Sequence, residues 1–213
     1  MRDLPSTAGT ALRVFFGHAS PVLLVTLSAL LIAVRVWLAD WSWWDLVAVG
    51  AILVVWPVYE WVVHVTVLHF RPKRIGRFTW DLVLAKTHRH HHKDPWLLPI
   101  VFIPLRSFPY VLVPLLAATW LLAPTWALGV TVLATYTLLS LHYEWCHYLA
   151  HIDWCPPSRF YRRRVRLHRL HHFHNERLWW GVSTSWGDTI LRTNPDVQDA
   201  PRSDTTHDIL GPG

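Results

Sequence analysis

The chain has 213 residues, of which 52% are hydrophobic and 14% aromatic, and its formal net charge is +6. The hydrophobic fraction exceeds that of most soluble domains, so the composition argues against an ordinary soluble domain and favours a membrane protein. The positive charge does not predict nucleic-acid binding, because the Lys and Arg residues flank apolar stretches, as they do in membrane proteins.

Four apolar stretches predict membrane-spanning helices, since one crossing needs about 20 apolar residues. These stretches cover residues 19–38, 46–68, 97–122 and 125–149. No Asp, Glu, Lys or Arg occurs in the 37 residues from 107 to 143, which Ala123 and Pro124 divide near the middle. The predicted fold class is therefore all-α, an integral membrane protein with a four-helix transmembrane bundle.

The third stretch is the weakest of the four predicted spans. Prolines recur every five residues from Pro99 to Pro114, and Arg106 interrupts the first half. Proline is tolerated in membrane helices but kinks them, so residues 96–106 can instead lie along the membrane interface.

The distribution of charge predicts the orientation of the spans. Residues 70–94 and 159–177 each carry seven Lys or Arg residues, whereas the two opposite turns contain Asp40 and Asp45 but no Lys or Arg. By the positive-inside rule, both termini and both basic segments are predicted to be cytoplasmic.

The last residues differ in composition from the rest of the chain. Residues 194–213 are rich in Pro, Asp and Thr and show no apolar period, which predicts disorder. The predicted organisation is one membrane domain over residues 1–193, followed by a disordered tail over residues 194–213.

Ten of the fifteen histidines form four clusters with the patterns HxxxxH, HxxHH, HxxxH and HxxHH. The ten residues are His64, His69, His88, His91, His92, His147, His151, His168, His171 and His172. Each cluster lies at or after the cytoplasmic end of the second or the fourth predicted span. We therefore expect all ten imidazoles to meet in a cytoplasmic helical cap. Imidazole is the commonest metal ligand in proteins, so this cap is the predicted metal site.

The number and spacing of the histidines predict two metal ions. Ten ligands exceed what one ion can use, and imidazole nitrogen favours Fe, Zn, Cu or Ni over Mg or Ca. His64 and His69 stand about 140° apart on an ideal helix. Either the helix loosens after His64, or these two imidazoles serve different ions.

Two glutamates precede histidine clusters in the chain, and five further histidines lie outside the four clusters. Glu60 and Glu144 lie one helical turn before His64 and His147, where each can orient a ligand imidazole. The five remaining histidines lie outside the repeated patterns and are expected not to be ligands. They are His18, His90, His142, His174 and His207.

The order of the four clusters resembles that of the fatty acid hydroxylase and sterol desaturase superfamily, and most closely that of the fatty acid 2-hydroxylases. The segment Gly181-Val182-Ser183-Thr184-Ser185-Trp186-Gly187-Asp188, followed by Leu191-Arg192-Thr193, is similar to the segment that closes this family's domain. The resemblance covers roughly residues 45–193.

The resemblance implies an O2-dependent di-iron oxidoreductase that hydroxylates a C–H bond of a lipid, such as a fatty acyl chain or a sterol. It also implies two iron ions, which zinc can replace in purified protein, and electrons from a separate redox partner. In 2-hydroxylases an acidic residue and an adjacent tyrosine lie near the site. Here these positions hold Glu144, where Asp is expected, and Tyr143.

Other functions remain open at this point. A lipid desaturase or a carotenoid hydroxylase of the same superfamily fits the same histidines. A membrane metal-binding or transport protein is the alternative that is not an enzyme. A transport path requires polar groups at mid-membrane, whereas the middles of these spans are apolar. A helical bundle also lets a lipid substrate enter sideways from the bilayer.

Overall fold

The computed structural model describes residues 3–210, so the predicted disorder of residues 211–213 lies outside the described residues. The described chain is mostly helical. Its α-helices are α1 (Ala8–Phe15), α2 (Ala19–Leu38), α3 (Trp43–Val63), α4 (Val83–Lys93), α5 (Phe108–Leu122), α6 (Trp126–Ala150), α7 (Arg159–Phe173) and α8 (Trp186–Ile190). A π-helical turn, His64–Leu68, extends α3, and 3-10 turns occupy Leu98–Ile100, Leu105–Ser107 and Val197–Asp199.

One small sheet departs from the all-α prediction. Strands β1 (Lys73–Ile75) and β2 (Phe78–Trp80) form an antiparallel hairpin in which Lys73 pairs with Trp80. Every residue of the hairpin is exposed. The hairpin therefore contributes little to the core, which is built by helices.

Three segments are long and apolar enough to cross a membrane: Ala19–Leu38, Trp43–Leu68 and Leu98–Leu122. The chain is therefore a membrane protein. Within the third segment the α-helix starts only at Phe108, because the prolines before it leave two short 3-10 turns in place of a regular helix.

The fourth predicted span corresponds to α6, which has 25 residues but is not among the apolar segments of spanning length. Helix α6 packs most extensively against α2 and also contacts α3, α5 and α7. Because protein surrounds it, α6 can carry buried polar residues, such as Thr137, which accepts a hydrogen bond from Ser28 at 2.9 Å. Four crossings therefore remain a prediction, with α6 as the fourth.

A buried ion pair joins three helices at the end of the bundle where α2 turns into α3. Arg35 donates to both carboxylate oxygens of Asp45 at 2.9 Å, and its Nε donates to Thr131 at 2.9 Å. Arg35 is 3% exposed. The carboxylate of Asp45 thus offsets the positive charge of Arg35. This pairing explains why an arginine is tolerated at the end of α2 that was predicted to face the side without Lys or Arg.

The main hydrophobic core lies beside the end of α6 and joins α1 to the later segments. Tyr148 is fully buried, and its hydroxyl donates to the carbonyl of Ala11 at 3.0 Å. The buried members of this core are Ala11, Phe15, Val101, Phe102, Tyr148, Leu149, Ile152 and Val165. Its position fixes the last turn of α6, which carries His147.

Helix α8 lies unusually close to α3. A Cβ atom placed on Gly187 would lie 2.2 Å from the carbonyl oxygen of Pro57 and 3.1 Å from the Cβ of Trp61. Only glycine allows this approach. Trp61 also donates through Nε1 to Thr193 at 2.9 Å, so the segment after α7 is fixed to α3 at two points.

The segment from residue 194 to residue 210 makes hydrogen bonds with the residues that follow α7. The disorder of the tail remains a prediction. Ser203 donates its N–H to the carbonyl of His174 at 2.8 Å, and Asn175 donates to the carbonyl of Pro201 at 2.9 Å. Ile209 is buried at 7% exposure. Hydrogen bonds to the residues that follow α7 hold this segment, and such bonds leave no apolar period in the sequence.

Candidate metal centre

The ten predicted histidines meet in two adjacent groups of five. We call His64, His69, His88, His92 and His171 the first histidine group, and His91, His147, His151, His168 and His172 the second histidine group. Within each group, one nitrogen from every residue lies within 4.8 Å of the others. The rings of His92 and His172, one from each group, stack with centroids 4.2 Å apart.

Each HxxHH cluster contributes to both groups. On α4, His88 and His92 are four residues apart and share a helix face, so they stay together, while His91 points to the second group. On α7, His168 and His172 stay together in the same way, and His171 joins the first group. Helix α4 thus contributes His91 to the group that contains most of the α7 histidines, and α7 contributes His171 to the group that contains most of the α4 histidines. This arrangement connects α4 to α7.

The π-helical turn decides between the two alternatives for His64 and His69. The N–H of His69 donates to the carbonyl of His64 at 3.0 Å, which is the five-residue bond of a π-helix. This wider turn brings residues five apart onto one face. Their rings lie 5.1 Å apart in the same group, so the helix loosens and both imidazoles serve one site.

Backbone carbonyls orient several of the imidazoles. A carbonyl oxygen only accepts hydrogen bonds, so a Nδ1 atom bonded to it carries the proton, and the Nε2 of the neutral ring keeps a free lone pair. The bonds join His64 to Trp180 at 2.6 Å, His171 to Leu178 at 2.9 Å, His92 to Thr206 at 2.9 Å and His147 to Val101 at 2.8 Å. This arrangement prepares Nε2 as a metal ligand.

The spacing of the Nε2 atoms fits metal ions. Six pairs of Nε2 atoms lie 3.0 to 3.2 Å apart. They are His64–His88, His88–His92, His91–His147, His91–His172, His151–His168 and His168–His172. With metal–nitrogen bonds of about 2.0 to 2.1 Å, two ligand nitrogens on one ion lie about 2.9 Å apart at a right angle and about 3.4 Å apart at the tetrahedral angle.

Two further Nε2 atoms in the first histidine group are also available to bind a metal ion. The Nε2 atoms of His69 and His171 are buried and have no hydrogen-bond partner within residues 3–210. Buried polar atoms normally have a partner, and a bound metal ion would supply one. The donor set therefore fits one ion in each group.

Burial keeps the imidazoles neutral. Burial lowers the pKa of His88, His91 and His168 well below the ordinary histidine value, and neighbouring imidazoles lower it further. The pKa of His92 falls to about 3, mainly because of burial, although its bond to Thr206 opposes part of the shift. The rings are thus neutral at pH 7, which is the form that binds a metal.

An apolar cavity of about 140 Å³ reaches the first histidine group at His64. It lies between α2, α3, α5 and α6, and its wall includes Leu24, Trp56, Val63, Phe108, Val111 and Leu112. Trp56 lies about 12 Å from His64 along α3, given a rise of about 1.5 Å per residue. The cavity thus runs parallel to the helices, as an alkyl chain in a bilayer does.

Comparison with known proteins agrees with these features. The family model for fatty acid hydroxylases matches residues 49–193, which is more than half of the chain. This chain belongs to the fatty acid hydroxylase family. Its structure is also similar to one described as full-length scs7p, of which only the hydroxylase domain is visible, with a TM-score of 0.71 and 22% identity. The match covers 87% of this chain and 68% of that chain. No curated protein matches this chain.

The closing segment of the fatty acid hydroxylase domain is held by two buried carboxylates. Glu60 on α3 accepts hydrogen bonds from the N–H of Val182 and from both the N–H and the hydroxyl of Ser183. Asp188 accepts from the N–H groups of Trp180 and Gly181 at 2.8 and 2.7 Å. Together they fix the loop whose Trp180 carbonyl holds His64. Glu60 was predicted to orient a ligand imidazole directly. It instead bonds to this loop and supports His64 through the Trp180 carbonyl.

Replacing Glu60 by Ala is expected to destabilise the family domain by about 3 kcal/mol or more, because three buried donors lose their acceptor. Glu60→Gln is the matched control, since its amide oxygen still accepts from both backbone N–H groups, and we expect a loss of about 1 kcal/mol. Thermal unfolding in detergent and metal content per chain measure both variants. An Ala variant as stable as the wild type would contradict this role.

Glu144 and Tyr143, the two predicted residues outside the histidine clusters, have different environments. Tyr143 lines the apolar cavity, and its ring stacks on His147 with centroids 6.0 Å apart. Glu144 accepts from the hydroxyl of Ser20 at 2.7 Å and from the N–H of Ile103 at 2.8 Å. Glu144 therefore bonds to neither histidine group and instead connects α6 to α2 and to the segment before α5.

The five other histidines belong to neither group. The Nε2 of His174 bonds to the carbonyl of Ala200 at 3.0 Å, and the Nδ1 of His207 bonds to the carbonyl of His92 at 3.2 Å. These two therefore connect the C-terminal segment to α4 and to the residues that follow α7. The carbonyls that orient the imidazoles were not predicted, because a backbone oxygen leaves no signal in the sequence.

Proposed function

We propose that this chain is an O2-dependent di-iron oxidoreductase that hydroxylates a C–H bond of a membrane lipid. The observation that carries the proposal is the position of the two histidine groups. Ten imidazoles, nine of them buried and that of His69 half-buried, meet in two groups, and His64 of the first group lines the apolar cavity. Membership of the fatty acid hydroxylase family supports the same reaction.

We assign one iron ion to each histidine group. Imidazole nitrogen suits Fe, Zn, Cu and Ni, and of these iron fits an oxidation that uses O2. Bound iron would supply the activation of O2 and the cleavage of the substrate C–H bond. Zinc binds similar ligands, so purified protein can contain zinc in place of iron.

The chain itself supplies orientation and shielding. The carbonyls of Trp180, Thr206 and Leu178 hold first-group imidazoles with Nε2 toward the site. The apolar wall excludes water and accepts the lipid chain. Tyr143 is assigned to substrate contact, because it lines the cavity beside His147. Glu144 is assigned to positioning, through its bond to Ile103, another residue of the cavity wall.

The proposed topology follows the charge distribution. With α6 as the fourth crossing, the basic segments after α3 and α6 lie on the cytoplasmic side, together with both termini and both histidine groups. A separate cytoplasmic redox partner then supplies electrons to the site. The lipid substrate enters sideways from the bilayer.

The test is lipid mass spectrometry of cells with and without the protein, together with metal analysis of protein purified from iron-replete cells. We expect mass spectrometry to find a lipid that has gained one oxygen atom. We expect metal analysis to find two iron or zinc ions per protein chain. A lipid that instead loses two hydrogens would show a desaturase. Two metals without any lipid change would favour a metal-binding or transport protein. One metal or none would contradict the di-metal centre.

A further inference from the structure

A second cavity opens beside the apolar one, and Ile103 lines both. We call it the basic basin. Its volume is about 640 Å³, and its wall is formed by residues 18–20, by α4 at Lys86 and His90, and by residues of the 99–106 segment. The basin therefore adjoins the apolar cavity, with Ile103 in the wall of both, at the level of the segment before α5.

The charge of the basin is positive and unpaired. Lys86 and Arg106 are exposed in its wall, which contains no Asp or Glu. Within residues 3–210 neither of them forms an ion pair. Other cations of α4 are paired, Arg89 with Asp81 at 2.5 Å and Lys93 with Asp208 at 3.5 Å. Lys86 thus differs from the two other Lys and Arg residues of α4 in having no ion-pair partner within the described residues.

One carboxylate lies near the basin, but it does not face the basin. Glu144 is 2% exposed and accepts hydrogen bonds from Ser20 and Ile103, both of which belong to the wall. Both bonds reach Oε1, and Oε2 is buried without a hydrogen-bond partner within residues 3–210, so the carboxyl group lies behind the wall and not in the basin. An anion in the basin would meet Lys86 and Arg106 first.

The wall of the apolar cavity presents almost no polar surface to its interior. The hydroxyls of Tyr59 and Tyr136, both in its wall, bond to each other at 2.9 Å. An amphiphilic substrate whose chain fills this cavity must therefore place its polar end outside it. The basic basin adjoins the cavity and offers two cations for this purpose.

We propose that the basic basin binds the anionic headgroup, a carboxylate or a phosphate, of the lipid whose alkyl chain occupies the apolar cavity. The proposal rests on the proposed function, since it concerns the substrate of that site. Charge-assisted hydrogen bonds from Lys86 and Arg106 hold the anion. The basin is a concave site of the size typical for small ligands, which favours a headgroup over the surface of an acidic protein.

The test measures binding to the purified full chain in detergent, without turnover. The probes are tritiated palmitate, tritiated hexadecanol and tritiated 1-palmitoyl lysophosphatidate, which share one chain length and differ in the headgroup. The variant is Lys86→Gln with Arg106→Gln. The matched control is Lys73→Gln with Arg166→Gln, which removes two exposed charges outside the basin.

We expect the basin variant to bind palmitate or lysophosphatidate at least about tenfold more weakly than the wild type, with hexadecanol binding unchanged. The control should bind all three probes like the wild type. The anion that loses more affinity identifies carboxylate or phosphate as the preferred group. Unchanged binding of both anions, or an equal loss for hexadecanol, would overturn the proposal.

A second measurement separates the headgroup site from a docking site for a redox partner. If anion binding is unchanged while turnover with an acidic electron donor falls, the basin cations bind that donor and the headgroup assignment is wrong. Because the binding measurement needs no reaction, the headgroup site can fail while the hydroxylase function stands. If the anions bind as expected but no lipid is hydroxylated, the headgroup site stands while the hydroxylase function fails.

Discussion

Replacing His91 by Ala is expected to lower lipid hydroxylation by more than about a hundredfold and to remove one metal ion per chain. The Nε2 of His91 lies 3.1 Å from the Nε2 atoms of both His147 and His172, so its loss removes two of the four close Nε2 contacts of the second histidine group. It is 1% exposed, so its removal leaves a buried gap in the ligand set. The measurements are metal analysis and lipid mass spectrometry.

The adjacent His90 provides the matched control for metal content. His90 is exposed on α4 and belongs to neither group, so His90→Ala is expected to retain both metals. His88→Ala should likewise lose one metal, from the first group. If His91→Ala retained both metals, or if His90→Ala lost one, the division into two groups of five would be wrong.

Replacing Gly187 by Ala is expected to destabilise the protein by about 3 kcal/mol, the cost of severe overpacking. The new Cβ would lie 2.2 Å from the Pro57 carbonyl oxygen, and backbone atoms on both sides cannot move independently. Helix α8 must shift away from α3 and take with it the loop that carries Trp180. We therefore expect His64 to lose its carbonyl partner and metal retention to fall.

Gly50, which lies on α3, is the control for this substitution. A Cβ on Gly50 meets no atom within 4 Å, so Gly50→Ala is expected to leave stability unchanged or raise it by up to about 1 kcal/mol. Thermal unfolding of the purified variants in one detergent compares the two changes. Equal stability of both variants would show that α8 does not need its close approach to α3.

The histidine site could be predicted to a large extent because its ligands repeat at helical spacing. His88 and His92, or His168 and His172, share a face on any α-helix, so the sequence alone predicts that each pair binds together. The assignment of His91 to the second histidine group and of His171 to the first could not be predicted from the sequence. It depends on how α4 and α7 face each other, and that arrangement is set by packing between distant segments.

The role of the acidic residues could be predicted only in part. Glu60 and Glu144 lie one turn before histidines, which suggested direct contact with imidazoles. In the fold, Glu60 bonds to the loop at Val182 and Ser183, and Glu144 bonds to Ser20 and Ile103. Spacing along one helix gives the direction of a side chain, but it does not give the segment that packs opposite.

Sequence by itself determined the membrane class, the ten histidines and the family, because apolar length and ligand spacing are local properties of the chain. Tertiary structure alone decided the pairing of the imidazoles, the π-turn that unites His64 with His69, and the contacts that residues 194–210 make. The physical reason is that these features depend on backbone carbonyls and on close approaches such as that of Gly187. Neither leaves a periodic signal, since a carbonyl is present at every residue and a close approach requires two distant segments to meet.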